Sequence, residues 1–314
     1  MIDNYKMYNN MLEITIDDKS NTNDYDVSYI YENDHSILHL SDEYGIDIKE
    51  ILKSDDEVRM DSIKLHKQSQ KILVNFLIPK LQEELHLDNL VTSILFLIEN
   101  NKIIIITNKK MSFIASSLKE IHVENISNFA SEIVSNILEN GLNVMLNDLR
   151  LLRKKIDLLE TNIVDSGSIK PVFSDLLTLQ KYMISLSSTY DTNKKVITFL
   201  EKIFINENEK VNNLFSDLYD IVDTMNRILF SYSQHLDNLE TMINNMASYQ
   251  LNATMKTLTE LSIVLTIPSI IYALWGINVH VPFENNKYGA VIVIAISIIL
   301  SMVTGTHLRK KKYF

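Results

Sequence analysis

The sequence predicts an α+β membrane protein, with an α/β domain at the N-terminus, long stalk helices after it and two C-terminal transmembrane helices. Three observations support this prediction. The 314 residues include only 6 Gly and 4 Pro, which disfavours turn-rich all-β folds and Gly-rich nucleotide-binding sheets. Strand-like runs are confined to residues 1–125, and two long apolar stretches lie near the C-terminus. The chain therefore combines a mixed domain with helices of unusual length.

The net charge of −10 is distributed unevenly along the chain. Residues 1–62 carry 16 acidic and 5 basic residues, whereas the C-terminus is basic, with Arg309, Lys310, Lys311 and Lys312. Acidic surfaces repel phosphates, so we expect no nucleic-acid partner. Because the chain has no cysteine, disulfides, thiol nucleophiles and Cys-ligated zinc are excluded.

Residues 1–125 are predicted to form a cytoplasmic α/β domain with a mixed sheet and flanking helices. The predicted strands cover residues 11–16, 27–31, 72–78, 93–99 and 102–107. The last two are expected to form a hairpin because a short polar turn joins two apolar runs. Helices are predicted over 42–53 and 112–121.

From residue 126 onward the periodicity is helical. Helices are predicted over 129–164, 172–189 and 206–275, forming an antiparallel helical region (126–205) and a stalk (206–257). In the stalk, apolar residues recur every three or four positions from Val211 to Met246, which predicts a seam for another helix. Unbroken from 211 to 276, this helix would be about 100 Å long.

Two membrane spans are predicted, at 258–276 and 288–308, with an outer loop (277–287) between them and a basic tail (309–314) after them. The second run is 21 residues without an acidic residue, Lys or Arg, long enough to cross a bilayer. A buried soluble hairpin is the alternative, but both runs are too long for it. Lys256 and the basic tail flank the spans, whereas the loop holds only Lys287, so both termini are predicted to be cytoplasmic.

One face of the first span, called here the first-span stripe, carries apolar residues followed by small and hydroxyl-bearing ones. Such a stripe has two interpretations: close helix packing in lipid, or the wall of a narrow water-filled path. Its position between an apolar pair and the polar turn at 275–278 favours the path. The stripe consists of Met255, Leu258, Ser262, Thr266, Ser269, Ala273 and Gly276.

Several features of residues 255–314 occur together. They are the run Met255-Lys256-Thr257-Leu258-Thr259, Pro268 in mid-span, the turn Trp275-Gly276-Ile277-Asn278, a short loop with Pro282 and Glu284, a second span and a Lys-rich end. Together they resemble the CorA family of divalent-cation transporters, whose signature at this turn is Tyr-Gly-Met-Asn. The sequence keeps Gly276 and Asn278 and departs at Trp275 and Ile277. In architecture, the resemblance extends over the whole chain.

The resemblance implies a funnel-shaped homopentamer in the cell membrane whose first spans line a pore for Mg²⁺, with Co²⁺ and Ni²⁺ as further candidates. Gly276, Ile277 and Asn278 would form the selective outer mouth. Five Asn278 amides can bind hydrated Mg²⁺ without carboxylates, although a helix C-cap is the alternative for Asn278 alone. Met255 and Leu258 would form an apolar gate, Asn252 a polar ring below it, and Ser262, Thr266, Ser269 and Ala273 the pore lining.

The resemblance also implies regulation by cytoplasmic Mg²⁺. Asp217 and Asp220 fall where CorA-like proteins place an acid that binds Mg²⁺ together with a neighbouring subunit, and Glu84 and Asp88 are candidate partners. Bound ions would hold the gate shut, and their loss would release it. An ordinary solvated acidic pair is the alternative. Glu284 is the acid of the outer loop, and Arg309, Lys310, Lys311 and Lys312 form a basic collar.

No enzyme motif was found. Without a P-loop, neither a bound nucleotide nor ATP coupling is expected, and transport should be passive, driven by the ion gradient and membrane potential. His35 and His39 are four apart, but their segment is predicted to be strand-like or irregular, which argues against a metal pair. The rival hypotheses are a Zn²⁺ transporter of the same superfamily and a non-conducting, membrane-anchored coiled-coil sensor or scaffold.

Overall fold

The structure is a computed structural model that divides into two compact units, Met1–Glu240 and Thr241–Phe314. It describes residues 1–8, 10–15, 26–32, 34–53, 63–66, 71–79, 91–99, 102–123, 128–165, 169–204, 209–277, 280–283 and 287–311.

Within the described residues, the first unit contains a seven-stranded mixed sheet, which confirms the predicted sheet type. Its strands are β1 (Ile2–Tyr8), β2 (Met11–Thr15), β3 (Val27–Tyr31), β4 (Ile63–His66), β5 (Lys71–Pro79), β6 (Val91–Glu99) and β7 (Lys102–Thr107). The spatial order is β2-β1-β3-β7-β6-β5-β4. Only the β3–β7 pair is parallel among these neighbours, and the other five pairs are antiparallel.

The central strands are continuously apolar because helices cover both faces of the sheet. The predicted hairpin is confirmed, since Glu99 pairs with Lys102 and Ile98 with Ile103 in the β6–β7 ladder. Helices α1 (Asp34–Tyr44) and α2 (Ile48–Lys53) cover one face. The core beneath them contains Ile30, Ile37, Leu40, Ile48, Leu52, Leu73, Leu95, Leu97, Ile104 and Ile106.

The single helix predicted over 42–53 was wrong, because the chain forms two helices and the first begins at Asp34. The break follows from Gly45, whose φ of 64° is a conformation that suits Gly. The Ser41 carbonyl then accepts a hydrogen bond from the Ile46 N–H, and the Ser41 hydroxyl accepts one from the Ile48 N–H. Strands β1 and β4 were also missed. In β1, polar and apolar residues do not alternate, and even Asn4 is buried, where its Oδ1 accepts a hydrogen bond from the Ser28 hydroxyl.

The first unit continues with α3 (Ser112–Glu120), α4 (Phe129–Asp165) and α5 (Ile169–Phe204). The predicted end of α5 at residue 189 was wrong, because the helix continues through the polar run Asp191–Lys195. Asn193 explains this continuation: it is fully buried, and its amide binds both the N–H and the carbonyl of Leu77 in β5, at 2.9 and 2.7 Å. Asn193, which resembles a helix breaker in the sequence, thus bonds the helix to the sheet.

Helix α6 (Glu209–Trp275) is 67 residues long and belongs to both units. Its predicted apolar seam is buried at Val211, Phe215, Leu218, Val222 and Met225. Within the first unit this seam packs against α5, where the Phe204 and Phe215 rings stack with centroids 5.7 Å apart. The predicted helix-to-helix contact is therefore confirmed inside a single chain.

The second unit consists of the C-terminal part of α6 and helix α7 (Gly289–Lys311). Both helices are long and apolar enough to cross a membrane. This finding agrees with the two predicted spans.

Candidate functional site

The first-span stripe is exposed along the whole C-terminal part of α6. Met255 and Leu258 are 53% and 56% exposed, and the small and hydroxyl-bearing members after them are exposed too. The hydroxyls of Ser262, Thr266 and Ser269 each donate to the carbonyl four residues earlier, at 2.8, 2.8 and 3.1 Å. Their protons are thus used within the helix, so each hydroxyl oxygen can act towards the outside only as a hydrogen-bond acceptor, through its lone pairs.

Helix α7 packs on a different face of α6. The Tyr272 hydroxyl lies 2.9 Å from the Ser297 Oγ, and Ser297 is fully buried. Farther along, a Cβ added to Gly305 would lie 3.4 Å from Val264 Cγ2, so the helices approach closely there. The half-buried residues on this side of α6 are Val264, Ile267, Pro268, Ile271 and Trp275.

These two faces lie on opposite sides of the helix. At about 100° per residue, the half-buried set centres about half a turn around α6 from the first-span stripe. The stripe therefore does not serve to pack α6 against α7 within one chain. It remains available to contact water or other copies of the chain.

The outer turn begins where α6 ends. The Gly276 N–H donates to the carbonyls of Tyr272 and Ala273, at 3.0 and 3.3 Å, and a Cβ at Gly276 would lie only 3.3 Å from the Tyr272 carbonyl oxygen. Ile277 follows and is 49% exposed. Asn278 and Glu284 lie outside the described residues.

Sequence reasoning missed a further contact at this turn. The indole Nε1–H of Trp275 donates to the Pro282 carbonyl at 3.1 Å. Nothing in residue spacing predicts this bond, because it depends on how the chain returns from α6 to α7. The Tyr272–Ser297 contact was weakly indicated by the sequence, because each of the two is a polar residue within an apolar run.

The candidate regulatory acids lie on α6 in the first unit. Asp217 and Asp220 are both exposed and flank the buried Leu218. In the part of the chain that the structure describes, no group of three or more acidic or His residues is placed to hold a metal ion. Glu84 and Asp88 lie outside the described residues. The described part of one chain therefore does not supply a complete cation site around Asp217 and Asp220.

Asp223, the next acidic residue after Asp220, pairs with basic residues of the same chain. Asp223 Oδ1 lies 2.6 Å from Lys194 Nζ in α5, and Arg227 lies 3.4 Å from its other oxygen. The hydrogen bond from Lys194 is the main reason that the pKa of Asp223 lies below its ordinary value. The pKa of Lys194 is raised by its hydrogen bonds to Asp223 and Tyr219. This carboxylate is thus neutralised within the chain.

The basic collar can be placed only in part, whereas the His35/His39 pair, which was not expected to bind a metal, lies within the described residues. Arg309, Lys310 and Lys311 lie at the end of α7, but their side chains and Lys312 are outside the described part. His35 and His39 lie on helix α1, so the expectation of a strand-like or irregular segment was wrong. The two residues share one helix face, with His39 Nδ1 3.9 Å from Glu43 Oε2.

Comparison with known proteins gives consistent matches. A family model described as CorA-like Mg²⁺ transporter protein matches residues 27–310. The cobalt/magnesium transport protein CorA of Methanocaldococcus jannaschii is 23% identical over 284 residues, covering 86% of this chain and 85% of the relative. The magnesium transport protein CorA of Helicobacter pylori is 24% identical over 181 residues, covering 55% and 56%.

A solved structure agrees along the full length. The complete structure of the CorA magnesium transporter from Methanocaldococcus jannaschii matches with a TM-score of 0.77 at 18% identity, covering 100% of this chain and 99% of that one. This likeness shows the fold, including the long helix and the two C-terminal apolar helices.

Proposed function

The chain belongs to the CorA-like Mg²⁺ transporter family, and from this premise we propose that it carries Mg²⁺ passively across the cell membrane through a pore formed by five copies. Its relatives are named as magnesium or cobalt/magnesium transport proteins. Both termini then lie in the cytoplasm, since basic residues flank the spans on that side.

The observation that carries the proposal is the position of the first-span stripe opposite α7. A lipid-facing helix is expected to be apolar all round, as α7 is on its exposed side at Val291, Ile294 and Ile298. In contrast, the stripe presents Ser262, Thr266 and Ser269, whose hydroxyls bond to backbone carbonyls of α6 and to none of the described side chains of α7. Copies arranged around an axis with this face inward would shield it from lipid and line a water-filled path.

The chemistry of the stripe suits a hydrated cation. Mg²⁺ loses its water reluctantly, and a wall of hydroxyl oxygens accepts hydrogen bonds from bound water without requiring the ion to dehydrate. At the outer mouth, Asn278 amides would add a ring of neutral oxygens, supported by the close turn at Gly276. At the cytoplasmic end, the exposed Met255 and Leu258 would form the apolar constriction, with Asn252 below it.

Regulation is proposed to use the exposed acids of α6. Asp217 and Asp220 have room for a divalent ion because both side chains are exposed, whereas Asp223 is already paired with Lys194. Ligands from a second chain would complete the site, with Glu84 and Asp88 as candidates. Mg²⁺ bound between subunits would favour the closed state by differential affinity.

The proposal is tested by Asn278→Ala. Removing the amide ring from the mouth is expected to reduce Mg²⁺ uptake by about tenfold or more, because the remaining backbone cannot replace five amide oxygens. The variant should keep the oligomeric state of the wild type in detergent. The matched control is Asn143→Ala, which removes an exposed amide on α4 and should leave uptake unchanged. Uptake in Asn278→Ala equal to that of a conducting wild type would remove Asn278 from the outer mouth, whereas a wild type without Mg²⁺ uptake would favour the non-conducting scaffold.

A further inference from the structure

We propose that Trp275 is a positioning residue for ion entry, whose indole N–H holds the outer turn in the conformation that receives the incoming cation. This inference rests on the proposed transport function. Trp stands here where the signature of the family has Tyr, so the indole donor is a property of this chain. An indole N–H lies on the side of its ring and a Tyr hydroxyl at the tip, so the two cannot place a donor at the same point.

The bond connects the end of α6 to the middle of the connection between α6 and α7. Trp275 is the last residue of α6, and its Nε1–H donates to the carbonyl of Pro282 at 3.1 Å. Gly276 and Ile277 lie between these two residues, as does Asn278 in the sequence. One hydrogen bond therefore joins two residues that precede and follow the proposed selective residues in the sequence, and such a bond limits the separation of its two ends.

The residue after the accepting carbonyl is held in an unfavourable conformation. Phe283 has a φ of 70°, in the left-handed region that side chains disfavour, and such residues persist only when their surroundings hold them. On its far side, the Phe283 carbonyl lies so close to Gly289 that a Cβ there would collide with it. The Trp275 hydrogen bond thus lies on one side of Phe283, and on the other side the missing Cβ of Gly289 leaves room for the Phe283 carbonyl.

A Trp at a membrane boundary often serves only as an interfacial anchor. An anchor of that kind directs its N–H to water or to lipid headgroups. The indole of Trp275 instead donates to a backbone carbonyl seven residues away in the same chain. This contact distinguishes a positioning role from anchoring and predicts a different effect when the N–H is removed.

Loss of the bond should weaken cation capture without lowering the maximal flux. If only a fraction of the molecules has the receiving conformation, the apparent affinity equals the intrinsic affinity multiplied by that fraction, while saturating Mg²⁺ draws all molecules into that conformation. A single exposed hydrogen bond is expected to change this equilibrium by about twofold to tenfold. The half-saturating Mg²⁺ concentration should therefore rise by that factor, with the maximal rate nearly unchanged.

Trp275 is the only Trp in the chain, which allows a one-atom test. Expression in a Trp auxotroph supplied with 3-benzothienylalanine replaces the indole N–H by sulfur at this position alone and keeps the ring size. Mg²⁺ uptake into proteoliposomes is then measured against external Mg²⁺. A raised half-saturating concentration with a retained maximal rate is expected. An unchanged half-saturating concentration, or a loss confined to the maximal rate, overturns the proposal.

A second measurement does not depend on transport. The fluorescence of wild-type protein comes from Trp275 alone among Trp residues, so it reports directly on the turn. Gly289→Ala should displace the Phe283 carbonyl and shift the emission toward that of solvent-exposed indole. The matched control is Gly305→Ala, where the added Cβ would make only an ordinary contact with Val264, and its emission should equal that of the wild type.

The two measurements separate the two claims. Identical emission in Gly289→Ala and wild type would overturn the constrained turn itself. If the emission shifts as expected but wild-type protein passes no Mg²⁺, the turn geometry stands, whereas the proposed transport function and the role of Trp275 in ion entry both fail.

Discussion

At the scale of single residues, Lys194 shows how α5 is joined to α6. Its Nζ lies 2.6 Å from Asp223 Oδ1 and 4.6 Å from the centre of the Tyr219 ring, so one cation contacts two residues on successive turns of α6. Both members of the ion pair remain partly exposed, at 28% and 35%, so water screens their attraction. We expect the pair to fix the contact between the two helices more than to stabilise the fold.

The pair predicts a pH-dependent effect of Lys194→Met. The pKa of Asp223 is lowered in the folded state, so its stabilisation is present above the ordinary Asp pKa and is lost as pH falls through the folded value. The pKa of Lys194 is raised, so its stabilisation is present below the ordinary Lys pKa and is lost as pH rises through the folded value. The variant should lower the Tm slightly at neutral pH.

That decrease should become smaller in strongly acidic solution, where Asp223 is protonated in both states and the contact of Lys194 with Tyr219 remains. The control is Lys202→Met, an exposed Lys on the same helix. Thermal unfolding of the full chain across the pH range measures both variants. A decrease that is the same at acidic and neutral pH would mean that Lys194 acts through packing and not through charge.

At the scale of elements, α6 presents two functional faces in its C-terminal part. One packs on α7 through Tyr272 and Val264, and the opposite face carries the first-span stripe. The separation of these faces means that substitutions on the stripe need not disturb the helical hairpin. Defects in the proposed pore and defects in folding can therefore be distinguished by the position of the substitution.

Thr266→Phe tests this separation. A ring from each copy would fill a narrow path, so Mg²⁺ uptake should fall by about tenfold or more. Ile298→Phe is the matched control, because Ile298 is exposed on α7, where a lipid-facing ring is tolerated. Uptake by proteoliposomes of equal protein content gives the comparison. Equal uptake by the two variants would mean that Thr266 does not line the path.

Elements with a strong local pattern could be predicted from the sequence. Strand β6 is apolar along nearly its whole length because it is buried between helices, and the seam of α6 repeats over several turns. The extension of α5 beyond residue 189 could not be predicted, because the partner that accommodates Asn193 is Leu77 of β5, 116 residues away. Local pattern fails where a distant backbone group satisfies a polar side chain.

Part of the candidate site could likewise be predicted from the sequence, and part of it could not. The spacing of Ser262, Thr266 and Ser269 is sufficient to define one face of a helix. Which face meets α7 could not be derived from spacing, since both faces contain residues able to pack closely. The Trp275–Pro282 bond likewise depends on the return path of the chain. The sequence thus identifies residues for the site, and the tertiary contacts indicate which of them stay available.

At the scale of the whole molecule, a single helix belongs to both compact units. Helix α6 carries Asp217 and Asp220 in the first unit and the first-span stripe in the second. The proposed cation site and the proposed gate would therefore lie on one continuous helix. This connectivity gives the proposed regulation a physical route, with several copies of the chain required to complete each site.

Mg²⁺ protection against proteolysis tests the regulatory acids. In the wild type, millimolar Mg²⁺ should slow cleavage of the first unit, because ligand binding to the folded assembly opposes opening. Asp217→Ala combined with Asp220→Ala should weaken this protection. Asp175→Ala removes an exposed carboxylate from α5 and should retain it. If the double variant is protected as well as the wild type, these acids do not bind the ion.

The most direct test of the central claim is flux through the purified wild-type chain. Proteoliposomes with Mg²⁺ outside and a Mg²⁺-sensitive dye inside should fill down the gradient without ATP, and faster with a potential negative inside, because a divalent ion gains about 4.6 kcal/mol per 100 mV. The same vesicles tested with Co²⁺, Ni²⁺ and Zn²⁺ give the order of selectivity. Entry of Mg²⁺ down its gradient is the predicted result, whereas vesicles that admit Zn²⁺ but not Mg²⁺, or no divalent ion at all, would contradict the account.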